Sequence, residues 1–434
     1  MSALPPTQEL RERIDSAQVL TRFHYLSRAI ALACGGWIAG TPKLETKAAL
    51  ARVAWQQTLA GDAFRERVFE LRYPNRFLEE GSDAPLIRVY EAAIDAPDAD
   101  SFLAALTDAL LPDYAERLAA FLAQTDELDD GPTIRIVEQA SRDAAEQAAA
   151  LDPRAEGPTS QQSGGTIRDH GLLPDRAPGD RPGSDPVSWA ARLRDGFQTL
   201  EPPAGTPFRL AEDPARDDAY FSSSFYWPDA IVPGYPYGEG VALQVRSAVS
   251  HLNEVWAVDT AGAILHGLAP ELGWEWIRDA GRWTYDEARH MLMGKRRLEA
   301  WGLPAAKIPL GSYIYEACAG QDPLYRLGML GYFETKNIGR KRERAAAFHA
   351  MGDTTSETDM EFDWADETLH AEYGRRWLKD LLEQRGEDPE SWPAVLERCE
   401  QLVAARVASA TDDERARITG TADELVAEAT RRAA

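Results

Sequence analysis

The stretch Asp286-Glu287-Ala288-Arg289-His290 opens a pattern, Asp-Glu-x-x-His-x-x-x-Gly, that the chain repeats from Asp366 to Gly374, 80 positions later. Each copy also has a glutamate 33 positions upstream: Glu254 before Glu287, and Glu334 before Glu367. Residues three apart lie on one face of an α-helix. Glu287 with His290, and Glu367 with His370, can therefore each face one metal ion from one helix. A lone Glu-x-x-His is a weak signal in a chain with seven histidines. The shared offset, the preceding aspartate and the following glycine make this pattern specific.

The spacing of 33 has a geometric meaning. In two antiparallel helices joined by a short turn, residues equally far from the turn face each other. The midpoint between Glu254 and Glu287 falls in Gly267-Leu-Ala-Pro-Glu-Leu-Gly273, and that between Glu334 and Glu367 falls close to the break at 352–354. Each upstream glutamate thus lies level with its Glu-x-x-His. Two such hairpins packed face to face bring four carboxylates and two imidazoles to the centre of a four-helix bundle. Oxygen-rich ligands with one imidazole per metal suit Fe(II) or Mn(II). Two divalent ions balance four carboxylates that a core would otherwise reject. In this assignment Glu287 and Glu367 bridge and Glu254 and Glu334 are terminal, or the reverse. Asp286 and Asp366 are the candidates for orienting the imidazoles, each on a helix neighbouring its partner. Asp363 is a weaker candidate, and His251, one turn before Glu254, is left out as an ordinary histidine. Gly294 and Gly374 fall on the ligand face, where close helix approach is the plain reading.

This ligand set resembles that of the ferritin-like dimetal carboxylate superfamily: one Glu from each of two helices and Glu-x-x-His from each of the other two. Within that superfamily, Asp286-Glu-Ala-Arg-His290 followed by Asp366-Glu-x-x-His-x-x-x-Gly-x-Arg376-Trp377 looks like a bacterial ferritin-like group of largely unassigned chemistry. The resemblance covers 240–384, about a third of the chain. It implies a ferritin-like four-helix bundle holding Fe/Fe or Fe/Mn, with O2 as co-substrate.

Elsewhere the pattern is also helical. Residues 1–150 read as an N-terminal helical domain in which Trp55-Gln56-Gln57 faintly echoes Tyr285-Asp286-Glu287 without a Glu-x-x-His, as a degenerate bundle would. The segment 151–238 carries a Pro/Gly-rich linker over 151–190 and an aromatic arm over 220–237, the arm being expected to pack on the second domain. Residues 239–434 read as the dimetal bundle with C-terminal helices. The apolar periodicity predicts helices over 242–266, 273–301, 323–350, 355–384, 391–408 and 411–431. Strand signals are almost absent, so the expected class is all-α. Trp256, Trp283, Tyr285, Tyr332 and Trp364 lie near ligands in sequence, where aromatics are usually core packing.

Composition narrows the function. The net charge of −24 repels phosphate backbones and argues against nucleic acid as a partner. No apolar run reaches a membrane-spanning length. Three separated cysteines, with no Cys-x-x-Cys, argue against disulfides and fit a reducing cytoplasm. The leading expectation is a cytoplasmic, non-haem dimetal oxidase or oxygenase that hydroxylates, N-oxygenates or desaturates a small molecule. An external electron donor and a monomeric or homodimeric state go with it. A ferroxidase or iron-handling protein is the first alternative, and an RNA-modifying hydroxylase the second.

Overall fold

Helices account for most of the described residues. The computed structural model describes residues 12–71, 78–151 and 186–433, and its class is all-α. The only strands among the described residues are the two-residue β1 (Phe221–Ser222) and β2 (Pro309–Leu310), paired in parallel. Most of the linker expected over 151–190 lies outside the described residues; its end belongs to a helix, Pro186–Thr199.

There are two compact units. The long helices α1 (Arg13–Ile38) and α2 (Leu44–Glu70) contribute to both. The smaller unit, Met1–Arg22 with Arg67–Phe208, holds α3 (Ala84–Glu91), α4 (Ala99–Ala105), α5 (Leu111–Leu122), α6 (Glu127–Leu151) and α7 (Pro186–Thr199). Asp98 caps α4 by accepting from the Ser101 amide, and Phe102, Leu106, Tyr114 and Trp189 are buried.

The larger unit, Phe23–Glu66 with Arg209–Ala434, holds α8 (Val241–Leu252), α9 (Val255–Gly267), α10 (Ala269–Ala300), α11 (Tyr313–Glu316), α12 (Pro323–Met351), α13 (Thr354–Gln384), α14 (Trp392–Ala408) and α15 (Asp412–Ala433). This partition differs from the expected one, because 23–66 goes with the C-terminal helices. A buried ionic tie is one reason. Lys47 Nζ donates to Asp259 Oδ1 at 2.6 Å and to the Ile38 carbonyl at 2.8 Å. Arg216 Nη1 donates to the other oxygen of Asp259 at 2.7 Å. Removing one partner of such a buried cluster costs about 3–5 kcal/mol.

The core of this unit is a closed ring of helices: α9 packs on α10, α10 on α13, α13 on α12, and α12 on α9. Gly352, in the left-handed region at φ 71°, ends α12, and Asp353 caps α13 by accepting from the Ser356 amide. The expected helix over 242–266 is interrupted at Asn253–Glu254, between α8 and α9. The buried Asn253 side chain donates to the Pro309 carbonyl and accepts from the Gly311 amide, which ties the break to β2. The aromatic arm is irregular apart from β1 and one 3-10 turn at Pro228–Ala230. Phe225 and Trp227 are buried in it, as a packing role requires.

Candidate metal centre

Each Glu-x-x-His pair shares a helix face, as the spacing of three dictates. Glu287 and His290 lie on α10, and Glu367 and His370 on α13; all four are buried. Glu334 is buried on α12, and Glu254 occupies the break between α8 and α9. The ring of helices brings all six together. Donor atoms of Glu254, Glu287 and His290 lie within 4.8 Å of one another, as do those of Glu287, Glu334 and His370, and those of His290, Asp363 and Glu367. Glu287 is common to two groups. Its Oε2 is 3.7 Å from His290 Nδ1 and its Oε1 is 3.2 Å from His370 Nδ1. The two imidazole centroids are 6.0 Å apart.

Five donor atoms in this cluster are buried and have no hydrogen-bond partner among the described residues: Glu254 Oε2, Glu334 Oε2, Glu367 Oε2, His290 Nδ1 and His370 Nδ1. Each unsatisfied buried polar atom costs about 1–3 kcal/mol. Five in one place, all lone-pair donors of ligand type, are a set that could hold metal ions.

The outer imidazole nitrogens explain the aspartates. His290 Nε2 donates to Asp366 Oδ2 at 3.3 Å, and His370 Nε2 donates to Asp286 Oδ2 at 3.4 Å. The pairing is crossed: each motif's aspartate holds the other motif's histidine. This selects the Nε2–H tautomer and leaves Nδ1 as the inward lone pair. The aspartates are in turn held by Arg282 and Arg289. Arg282 Nε donates to Asp286 at 2.5 Å, and Arg289 Nη1 donates to Asp286 at 2.6 Å and Asp366 at 2.9 Å. The repeat marks neither arginine, although both stand one turn from Asp286 on its helix face.

The two halves are not equivalent. One turn before Glu287 stands Trp283; the corresponding residue one turn before Glu367 is Asp363. Trp283 Nε1 donates to Glu287 Oε1 at 3.0 Å, and its ring stacks on His370 at 5.3 Å. Asp363 instead accepts from Lys341 Nζ at 2.5 Å and from His251 Nε2 at 3.0 Å. Lys341, two turns beyond Glu334, also pairs with Glu367 Oε1 at 2.5 Å. His251 is not the ordinary histidine expected from the sequence: it is buried beside Glu254 and Asp363, and its Nδ1 accepts from Arg297. No sequence signal marks Lys341.

Charge is tightly balanced here. Burial pushes Glu334 up to about 6, helped by the neighbouring Glu287 carboxylate. Burial also raises Glu367, with Glu334 adding to it, to well above the usual carboxylate range. Burial opposes a charged Lys341, yet Asp363 and Glu367 keep its ammonium well above its ordinary value.

Both motif glycines serve close helix approach. A Cβ on Gly294 would overlap the Leu252 nitrogen on α8, and one on Gly374 would lie 3.0 Å from Gly331 Cα on α12. Of the other aromatics near the motifs, Tyr285 stacks on Trp55 at 4.5 Å, Tyr332 donates to Glu400, and Trp364 is exposed. Trp256 lines a cavity of about 230 Å3 whose floor includes Glu254, Glu287, Glu334 and Glu367. Among the described residues no helix is long and apolar enough to cross a membrane.

No curated protein and no solved structure matches the chain. Residues 241–425, which carry every residue of the cluster, match the model of a family described as "Protein of unknown function (DUF455)".

Proposed function

We propose that the larger unit is a ferritin-like four-helix bundle holding two metal ions, Fe/Fe or Fe/Mn, and that it oxidises a small organic molecule with O2. The observation that carries this reading is the convergence of five partnerless buried donor atoms, from five different residues, on one cluster. Glu254, Glu287 and His290 would hold one ion, with Asp363 and Glu367 at hand. Glu287, Glu334 and His370 would hold the other. The chemistry such a pair supplies when bound is activation of O2 for oxidation of an organic substrate.

The chain's own residues have definable tasks. Asp286 and Asp366 fix the imidazole tautomers, and Arg282 and Arg289 fix the aspartates. Trp283 orients Glu287 from one side, while Lys341 balances Asp363 and Glu367 on the other. The cavity gives a small molecule a route to the glutamates. The test is metal analysis with O2 uptake. The Fe(II)-loaded protein is expected to hold two metals per chain and to consume O2 beyond the iron equivalents when a substrate is present. Glu287→Ala and His370→Ala are expected to lower bound metal. Unchanged stoichiometry in both variants contradicts the site. Uptake that stops once the iron is oxidised, in a large hollow oligomer, would replace the oxygenase reading by iron handling.

A further inference from the structure

The cavity above the glutamates has an unusual wall for a chain of net charge −24. Apart from the four glutamates, its charged lining is Arg246, Arg340, Lys341 and Arg344 against one carboxylate, Asp229. Arg246 is 7% exposed. Its Nε and Nη2 donate to Asp229 at 2.9 and 3.2 Å, which leaves Nη1 buried and without a partner among the described residues. Two hydroxyls of the same cavity lining, Ser247 Oγ and Tyr237 Oη, are also buried and without a partner among the described residues. Two guanidiniums lie over the Tyr237 ring, Arg246 at 5.0 Å and Arg344 at 4.5 Å from its centroid. A buried guanidinium with a free N–H and two unused hydroxyls lining one cavity are the donor types that hold an oxyanion.

We propose that the cavity selects a small organic acid, with its carboxylate on Arg246 Nη1, Ser247 and Tyr237 and its body directed toward the glutamates. This rests on the dimetal reading and names the substrate class of that same site. The size agrees: about 230 Å3 is below the usual range for drug-sized ligands, roughly 300–1,000 Å3. The cations are gathered round one pocket rather than spread as a stripe that a nucleic-acid backbone would follow.

The probes are benzoate and its neutral isostere benzamide, titrated into the full-length protein by calorimetry, with metal content measured on the same samples. Benzoate is expected to bind at least about tenfold tighter than benzamide, the discrimination a charge-assisted hydrogen bond supplies. Arg246→Gln is expected to abolish that preference. Arg344→Ala, at the cavity wall and outside the ionic core, is expected to reduce it and serves if Arg246→Gln does not fold. Equal binding of the two probes, no binding of either, or a preference unchanged in the variants overturns the inference. So does an RNA stem-loop that binds tightly and displaces benzoate. Protein that binds no metal overturns the dimetal reading instead, and the benzoate preference is scored independently of that result.

Discussion

Replacing Gly294 by Ala tests whether the helices meet as closely as the site requires. The new Cβ would overlap the Leu252 nitrogen and lie 2.5 Å from the Ala248 oxygen and 2.8 Å from the His251 carbonyl carbon. All three are backbone atoms of α8 or its end, so no side chain can rotate away. Reaching ordinary contact requires α8 and α10 to part by about 1 Å in a close-packed interior. Overpacking of this kind costs typically about 1–3 kcal/mol, and contact with backbone places it at the upper end. Alanine recovers about 1 kcal/mol of helix propensity. The expected net loss is about 2 kcal/mol, read as a lower urea midpoint with unchanged slope. Metal loading should fall as well, because α8 leads directly into Glu254. Gly420 in α15, with open space where a methyl group would sit, is the internal control. Gly420→Ala should stabilise by about 0.5–1 kcal/mol. If Gly294→Ala is neutral or stabilising like Gly420→Ala, the close approach of α8 and α10 is refuted.

Buried polar groups supply two more tests. Asp286→Asn keeps the shape but weakens the hold on His370 Nε2 and leaves Arg282 and Arg289 undercompensated, so metal affinity should drop about 10–100-fold; equal affinity by competition with a chelating dye would remove Asp286 from the site. His24, beside Trp274, has its pKa lowered from 6.5 to about 4, first by burial and then, against the Gly61 carbonyl that its ring contacts, by Arg65 and Arg28. The folded state therefore binds fewer protons than the unfolded chain between those values. The stability involved is full above about pH 6.5 and is lost as pH falls to about 4, by about 3 kcal/mol. The difference in unfolding free energy between the protein and His24→Gln should shrink by that amount over the window, and a constant difference would refute it.

What the sequence made legible was whatever repeats. The offset of 80 and the spacing of 33 placed Glu254, Glu287, His290, Glu334, Glu367 and His370 at one height in paired hairpins, and the structure brings those six side chains together. The crossed aspartates were legible for the same reason. What breaks the repeat was not. Trp283 and Asp363 occupy equivalent positions but do unlike things, and only the fold shows that Asp363 meets Lys341 and His251. The interruption at Asn253 depends on Pro309 and Gly311, more than 50 residues away, so no local pattern could reveal it. The membership of 23–66 in the larger unit rests on Lys47 reaching Asp259, again a contact between distant segments. Periodicity reports local order, whereas these features are set by long-range polar contacts.

The crossed aspartate–histidine pairs bear on how the centre is assembled. Within a single hairpin, the imidazole has no carboxylate to receive its outer proton, and the aspartate faces a ring that the hairpin does not contain. Neither hairpin is therefore a complete half that could mature alone. The tautomer that exposes an inward lone pair is enforced only once the two hairpins dock, so docking and the readiness of both imidazoles are one event. The reciprocal exchange is also what a symmetric pair of identical hairpins would make across its interface, and a fused chain retains it as an interlock between its own halves.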